Sequence, residues 1–464
     1  MDKNNQPASE ARKTTSKEFD LIVIGTGAGG SAPAMKCRRA GWKVAVVDDE
    51  PYGGTCSLRG CDPKKVLVGA ADAWDWSRRM SGAGLGGNGY VDWQALMRFK
   101  RSFTDPVAPA REKLFGDAGI AMYHGSAKFL AEDRIEVRGE VLTARHFHIA
   151  TGASPAKLGI PGEEHLLTST DFLELESLPP RIAFIGAGYI SFEFAHVAQR
   201  AGSQAIIFGR GAALKGFDAD IVGRLVAHSR TTGIDLRLYA EVLGVEKADS
   251  GYVIVSQGTS GAERISADLV VHGAGRAPNT GGLNASAAGI ALDEKGGIAV
   301  NGFLQSVSNP IVYAAGDVAL PEGSAPLTPV AAHEGHIVAS NLLRGNNARP
   351  DYRGIPSVVF TIPPLAAVGI TETVARERGL EVRVKAEDTA SWFSSRRVRE
   401  PAAAYKTIAD AATDRVLGAH ILGPNAEEVV NLFALAMRHD ITAGELRRGI
   451  YSYPTSSSDV AYMI

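Results

Sequence analysis

Cysteine is scarce in this chain: of 464 residues only Cys37, Cys56 and Cys61 carry a thiol. Three thiols cannot make a disulfide framework, so the fold must rest on apolar cores, and a reducing cytoplasm is the compartment to expect. Net charge is nearly absent as well, −2 from 49 basic and 51 acidic residues, which argues against nucleic acid or an anionic membrane as the main partner. No apolar run approaches the roughly 20 residues that span a bilayer. Residues 1–18 hold no large apolar side chain except Met1, so the expectation is a solvated, disordered tail rather than a signal peptide. What the chain does have is 45% hydrophobic residues and 52 glycines, in a length too great for one core. Roughly three domains of α/β type, with many tight strand-to-helix turns, fit that composition.

The glycines are placed for chemistry in two segments. Phe19 to Ile24 reads as a buried strand, runs into Gly25-Thr26-Gly27-Ala28-Gly29-Gly30, and is followed by a helical stretch. Glycines between a strand and a helix let backbone N–H groups approach a pyrophosphate at the helix N-terminus. A second strand, Trp42 to Val47, leads into Asp48, whose carboxylate stands where ribose hydroxyls are bound. The pattern returns at Arg181 to Ile185, then Gly186-Ala187-Gly188-Tyr189-Ile190-Ser191, then a strand from Gln204 to Phe208. Two dinucleotide sites are therefore expected. In the second, Ser191 replaces the third glycine, and Gly209-Arg210, with Lys215 nearby, stands where an NAD site would carry an acid. A cation there accommodates a 2′-phosphate, so NADPH is favoured, with NADH possible.

Between the two loops lies Gly53-Gly54-Thr55-Cys56-Ser57-Leu58-Arg59-Gly60-Cys61-Asp62-Pro63-Lys64-Lys65. On an ideal helix residues five apart sit roughly 8 Å from one another, whereas a disulfide needs its Cα atoms within about 7 Å. A bridge between Cys56 and Cys61 therefore demands a bent turn, which Gly60 permits, and a strained accessible bridge is the labile kind. The spacing alone leaves two unrelated cysteines as the alternative.

These segments, in this order, resemble the flavoprotein pyridine nucleotide-disulfide oxidoreductases, the family of glutathione reductase, lipoamide dehydrogenase and mercuric reductase. The resemblance extends through Ile149-Ala150-Thr151-Gly152, Gly273-Ala274-Gly275-Arg276-Ala277-Pro278-Asn279-Thr280, Tyr313-Ala314-Ala315-Gly316-Asp317-Val318 and Leu327-Thr328-Pro329-Val330-Ala331. It implies an α/β fold with two Rossmann-like dinucleotide-binding domains and a C-terminal α+β dimerisation domain. The implied boundaries are a tail at 1–18, an FAD-binding domain at 19–152 and 276–346, an NAD(P)-binding domain at 153–275, and a dimerisation domain at 347–464.

Site roles follow from the same resemblance. FAD would be held through Gly25, Gly27, Gly30, Asp48, Gly54, Thr55, Thr151, Gly152, Asp317, Thr328 and Pro329. NADPH would be held through Gly186, Gly188, Ile190, Arg210, Gly275 and Arg276, with Tyr189 as an aromatic gate. Lys64 and Glu193 match a pair beside the flavin, where Lys64 favours negative charge on the reduced ring. Electrons would pass from NADPH through FAD to a Cys56–Cys61 disulfide, with Cys61 facing the flavin and Cys56 attacking a small-molecule or protein disulfide. A homodimer would complete each site with residues of the partner chain.

The C-terminal segment departs from the family pattern. Where glutathione and lipoamide enzymes carry His-Pro-Thr with an orienting Glu, this chain reads Ser452-Tyr453-Pro454-Thr455-Ser456-Ser457-Ser458-Asp459, so Tyr453 takes the His position and Ser458 the Glu position. A tyrosine titrating near 10 donates a proton but is a poor base at neutrality. Mercuric reductases resemble the chain in that tyrosine, yet deliver metal through a C-terminal cysteine pair, and here the chain ends Ala461-Tyr462-Met463-Ile464. The alternatives are a flavin reductase of quinones, metals or small electrophiles, and a slow redox sensor. His333-Glu334-Gly335-His336 lacks the spacing of a zinc motif, so a helix and no resident metal are expected there.

Overall fold

The computed structural model describes residues 17–87, 89–259 and 261–464. It gathers them into two compact units: residues up to Gly54 with Ala108–Ala153 and Pro278–Pro350, and Thr55–Val107 with Ser154–Ala277 and Asp351–Ile464. Among the described residues no helix is long and apolar enough to cross a membrane.

The first unit is built on a seven-stranded sheet whose path runs Ala121–His124, Val44–Asp48, Lys17–Ile24, Glu140–Ile149, Arg134–Val137, Ala127–Ala131, with Val312–Ala314 also on Glu140–Ile149. The strand Lys17–Ile24 lies parallel to both neighbours, Ile24 level with Val47 and with Ile149. Leu21, Ile22 and Val23 are fully buried, as a continuous apolar run in a parallel sheet covered on both faces must be. The strand starts two residues before the expected Phe19, because Lys17 and Glu18 pair with Leu142 and Thr143. The expected tail thus loses its last two residues, and residues 1–16 lie outside the described residues. Helices Ala28–Arg39 and Thr328–Arg344 pack on this sheet and on one another, and Gly335 makes that possible: a Cβ there would sit 2.5 Å from the Gly29 carbonyl oxygen.

The second unit holds three sheets of more than two strands. Four parallel strands run in the order Asp235–Leu238, Gln204–Gly209, Arg181–Ile185, Leu269–His272; three antiparallel strands span Glu241–Ala267; and five antiparallel strands lie between Pro356 and Leu422. Helix Tyr189–Arg200 follows the Arg181–Ile185 strand, and helix Ala426–Arg438 lies on the five-stranded sheet. Helix Cys61–Arg79 belongs to this unit, packed on Tyr189–Arg200, although the expected boundaries would group it with residues 19–54. The protein is thus α/β, with two Rossmann-like sheets, the first mixed because Arg134–Val137 and Ala127–Ala131 pair antiparallel and the second parallel, and an antiparallel C-terminal sheet.

Candidate active site

The cysteine segment is broken where sequence spacing requires it. Helix Gly54–Arg59 ends, Gly60 adopts φ −143° and ψ −118°, and helix Cys61–Arg79 begins. A Cβ on residue 60 would stand 2.8 Å from the Thr55 carbonyl oxygen and 3.2 Å from the Cys56 Cα. The chain therefore folds back on itself between the cysteines, and only glycine permits that approach. Cys56 is half-buried with its Sγ 3.9 Å from Asp62 Oδ1, while Cys61 is exposed at the start of its helix.

One turn further on, Lys64 Nζ lies 2.6 Å from Glu193 Oε2. Glu193 is fully buried on helix Tyr189–Arg200, and its other oxygen accepts a hydrogen bond from the Phe360 N–H at 2.8 Å. Burial alone would push the Lys64 ammonium down; the charge and hydrogen bond of Glu193 outweigh it, with Cys61 and Tyr189 adding, so the lysine titrates above its ordinary range. Lys64 Nζ also sits 5.9 Å from the Tyr189 ring centroid and 5.3 Å from that of Phe360. Cys56, Cys61, Lys64, Tyr189 and Glu193 thus share one region of the second unit, where a fixed cation stands near the Cys61 thiol. Phe360 was not legible in the sequence, because its part is played by a backbone N–H.

The two glycine loops form the cradles expected of dinucleotide sites. Gly25 has φ +100° and a Cβ there would lie 2.2 Å from the Ala150 carbonyl oxygen, while one on Gly30 would lie 2.0 Å from that of Gly25. Gly54 closes on the same loop, with a Cβ position 2.4 Å from the Gly27 Cα. Helices Ala28–Arg39 and Tyr189–Arg200 both start at a glycine N-cap with no side-chain cap and no acid in the first turn. Helices Trp93–Thr104 and Ala219–Thr231, by contrast, are capped by Asp92 and Asp218. Uncapped N–H groups behind a glycine loop suit phosphate oxygens, so the residues present fit FAD in the first unit and a nicotinamide dinucleotide in the second.

Around the first cradle, Asp48 Oδ2 accepts from the Thr26 N–H at 2.8 Å and from Thr26 Oγ1 at 2.6 Å. Thr26 Oγ1 in turn accepts from the Gly53 N–H at 3.1 Å. Thr151 Oγ1 donates to the Asn279 carbonyl at 2.8 Å, and Gly152 has φ +68°. The loop before Asp317 is held by Glu334, fully buried, which accepts from the Gly316 N–H and from Ser324 Oγ, each at 2.7 Å. Glu334, dismissed as a metal ligand in the sequence, is thus the carboxylate that fixes this turn. No metal-holding cluster of His, Cys, Asp and Glu occurs among the described residues. Helix Thr328–Arg344 opens with Thr328 and Pro329, as the motif required.

In the second cradle Gly186 has φ +107°, its Cβ position 2.4 Å from the Gly273 carbonyl oxygen. Ser191 is buried where the third glycine would be, and Gly273 makes room for it: a Cβ on residue 273 would sit 2.0 Å from Ser191 Oγ. Gly209 is dictated by packing, because a Cβ there would stand 2.6 Å from that of Ala187. Arg210 and Lys215 are exposed on the following loop, Gly275 has φ +122°, and Ile190 and Arg276 are half-buried.

Sequence comparison agrees with this geometry from end to end. Residues 19–335 match the model of the pyridine nucleotide-disulphide oxidoreductases, and residues 355–464 match that family's dimerisation domain. The chain belongs to the pyridine nucleotide-disulphide oxidoreductase family. A glutathione reductase of Burkholderia cepacia is 33% identical over 444 residues, 95% of this chain and 97% of the relative. A mercuric reductase of Lysinibacillus sphaericus is 33% identical over 469 residues, 98% of this chain and 85% of the relative. Among solved structures, the Cu(II) complex of the HOCl-induced flavoprotein disulfide reductase RclA from Escherichia coli superposes with a TM-score of 0.87 at 27% identity, covering 96% of this chain and 99% of that one. This oxidoreductase is accordingly an FAD-dependent enzyme that uses a pyridine nucleotide.

Tyr453 is not gathered with the other site residues. It is 82% exposed, beyond helix Ala443–Arg448, in a segment whose side chains bond locally: Ser458 Oγ to the Thr455 carbonyl at 2.6 Å and Tyr451 Oη to that of Leu446 at 2.7 Å. Burial raises the Asp459 carboxyl above its usual range, against the lowering effect of a hydrogen bond from Ser394.

Proposed function

We propose that this oxidoreductase carries electrons from NADPH to an acceptor disulfide through Cys56 and Cys61. The observation that carries the proposal is the bend at Gly60, which packs residue 60 against the Cys56 backbone between the two free cysteines, while one helical turn sets the Lys64 ammonium, itself clamped by Glu193, near Cys61. Bound FAD would supply two-electron exchange between a nicotinamide and a disulfide. Residues 19–152 and 276–346 would hold it, 153–275 the nucleotide, and 347–464 would pair two chains in a homodimer. Lys64 keeps Cys61 in its thiolate form, and Cys56, the outer thiolate, attacks the acceptor disulfide. The mixed disulfide releases one thiol of the acceptor. Cys61 then displaces the second and restores the Cys56–Cys61 bond. Arg210 and Lys215 meet the 2′-phosphate of NADPH, Tyr189 covers the nicotinamide pocket, and Tyr453 serves the partner's site as a proton donor. With three cysteines and no disulfide framework, the working compartment is the cytoplasm.

The test is an anaerobic titration of the holoenzyme with NADPH and, separately, NADH. The expected result is a long-wavelength thiolate-to-flavin absorbance after two electrons, reached at lower NADPH than NADH. Bleaching of the flavin without that band would remove the cysteines from the path. A second reading has two observations in its favour: Tyr453, a poor base, stands where the thiol-exchanging relatives carry His, and among the relatives are a mercuric reductase and a copper-bound reductase structure. There the acceptor is a metal ion or small electrophile reduced without thiol protonation. Loss of turnover in Cys56→Ser supports thiol exchange; retention supports direct reduction.

A further inference from the structure

Helices Cys61–Arg79 and Tyr189–Arg200, the cysteine helix and the tyrosine helix, are joined at two places. Near their N-terminal ends the joint is the Lys64–Glu193 pair. Near their C-terminal ends it is Asp75, only 3% exposed, whose Oδ1 lies 3.3 Å from Arg200 Nε and whose Oδ2 accepts from Arg79 Nε at 2.8 Å. Between the joints the facing surface of the cysteine helix is apolar, with Leu67, Val68 and Ala71 buried, and apolar contact alone resists sliding weakly.

The tyrosine helix presents a polar stripe of which the proposed chemistry uses only Glu193. Glu193, His196 and Arg200 are all buried and recur at the spacing of one helix face. Each is bonded to the single segment Phe360–Ile362: the Phe360 N–H donates to Glu193 Oε1 at 2.8 Å, the Ile362 N–H donates to His196 Nδ1 at 3.1 Å, and Arg200 donates to the Ile362 carbonyl at 3.2 Å. Since Nδ1 accepts, His196 is the tautomer with its proton on Nε2, 2.9 Å from Ser229 Oγ. Burial first, then the nearby Arg200 and His228, hold this imidazole neutral, as that arrangement requires. Arg79 extends the network to the Val398 carbonyl at 2.6 Å and to Glu400 at 3.3 Å. A buried guanidinium, Arg200, and a half-buried one, Arg79, therefore converge on Asp75, each anchored at its other end to the C-terminal part of the chain.

From this we infer that Asp75 is a positioning residue for the redox site: through Arg200 it fixes the register of the tyrosine helix against the cysteine helix, and so sets the Lys64–Glu193 pair that governs the Cys61 thiolate. The inference rests on the proposed role of that pair. A guanidinium left beside an amide instead of a carboxylate loses its counter-charge in a buried site, and Arg200 must then shift toward solvent or toward another acceptor. Arg200 and Glu193 lie on one rigid helix face, so the shift is passed to Glu193.

The experiment compares Glu193→Gln, Asp75→Asn, Arg200→Lys and the double variant Asp75→Asn/Glu193→Gln, each as holoenzyme. The readouts are the pH midpoint of the long-wavelength band at two-electron reduction and the thermal unfolding midpoint. Glu193→Gln leaves the Lys64 charge uncompensated beside Cys61, so the band midpoint falls by about one pH unit. Asp75→Asn and Arg200→Lys are expected to move it in the same direction, and Asp75→Asn to add nothing once Glu193 is Gln. If Asp75→Asn does not fold, Arg200→Lys, which keeps the charge but loses the two-sided fork, decides. An unchanged midpoint in Arg200→Lys, or additive shifts in the double variant, overturns the inference. An unchanged midpoint in Glu193→Gln instead overturns the role given to the Lys64–Glu193 pair.

Discussion

The two glycine cradles are built to one plan, and the residue between the first two glycines sets them apart. In the first cradle it is Thr26, whose hydroxyl donates to Asp48 at the end of the neighbouring strand. In the second it is Ala187, whose methyl occupies the space that any side chain at the corresponding Gly209 would need. A hydroxyl in this place holds an acid; a methyl excludes one, and the next residue, Arg210, is an exposed cation. On the proposed reading the same backbone would serve a ribose bearing free hydroxyls in one unit and a phosphorylated ribose in the other.

Four changes test that comparison. The largest effect is expected at the third fingerprint position. Gly30→Ser drives a Cβ against the Gly25 carbonyl, and the purified protein should lose most of its flavin absorbance per chain. Ser191→Gly, the reciprocal change, opens no clash and should cost about 1 kcal/mol as a glycine in a helix, read as a small drop in thermal midpoint with cofactor content intact. A flavin-replete Gly30→Ser protein would break the comparison at its root. Next, Arg210→Ala removes one charge-assisted contact to a 2′-phosphate, worth about 1.5–3 kcal/mol, so KM for NADPH should rise roughly 10- to 100-fold while KM for NADH stays constant. Equal rises for both nucleotides would mean that Arg210 supports the loop and reads no phosphate. The smallest effect belongs to Thr26→Val, which keeps the shape and deletes the bonds from Thr26 Oγ1 to Asp48 and from the Gly53 N–H to Thr26 Oγ1. A loss of about 1–2 kcal/mol in FAD affinity is expected, seen by titrating the apoprotein with FAD; no change would leave Asp48 positioned by its backbone partners alone.

Much of the fold could be read in advance, because its signals are local. The strands Phe19 to Ile24 and Arg181 to Ile185 announce themselves as short apolar runs ending in glycine, and the structure extends only the first, to Lys17. Gly60 was likewise legible, since a C-x4-C pair needs a bend and glycine is the residue that bends. Lys64 and Glu193 were legible only through resemblance: 129 positions apart in the sequence, they share no local pattern. Phe360 left no trace, as a backbone N–H can be supplied by any residue but proline. Asp75 and Arg200 did leave a weak one. A charged residue on the apolar face of a helix such as SFEFAHVAQR must be paired to be buried, and the partner is what the pattern omits.

The amino-acid sequence by itself determined where backbone must turn tightly, which faces must be buried and which side chains can donate electrons or charge, since those are properties of single residues and their near neighbours. Only the tertiary structure decided which charges meet. A carboxylate such as Asp75 is defined as a site by the guanidiniums that converge on it, and these come from its own helix and from another far along the chain. Ion pairing in a low-dielectric interior is a property of distance in space, to which distance along the chain gives no guide.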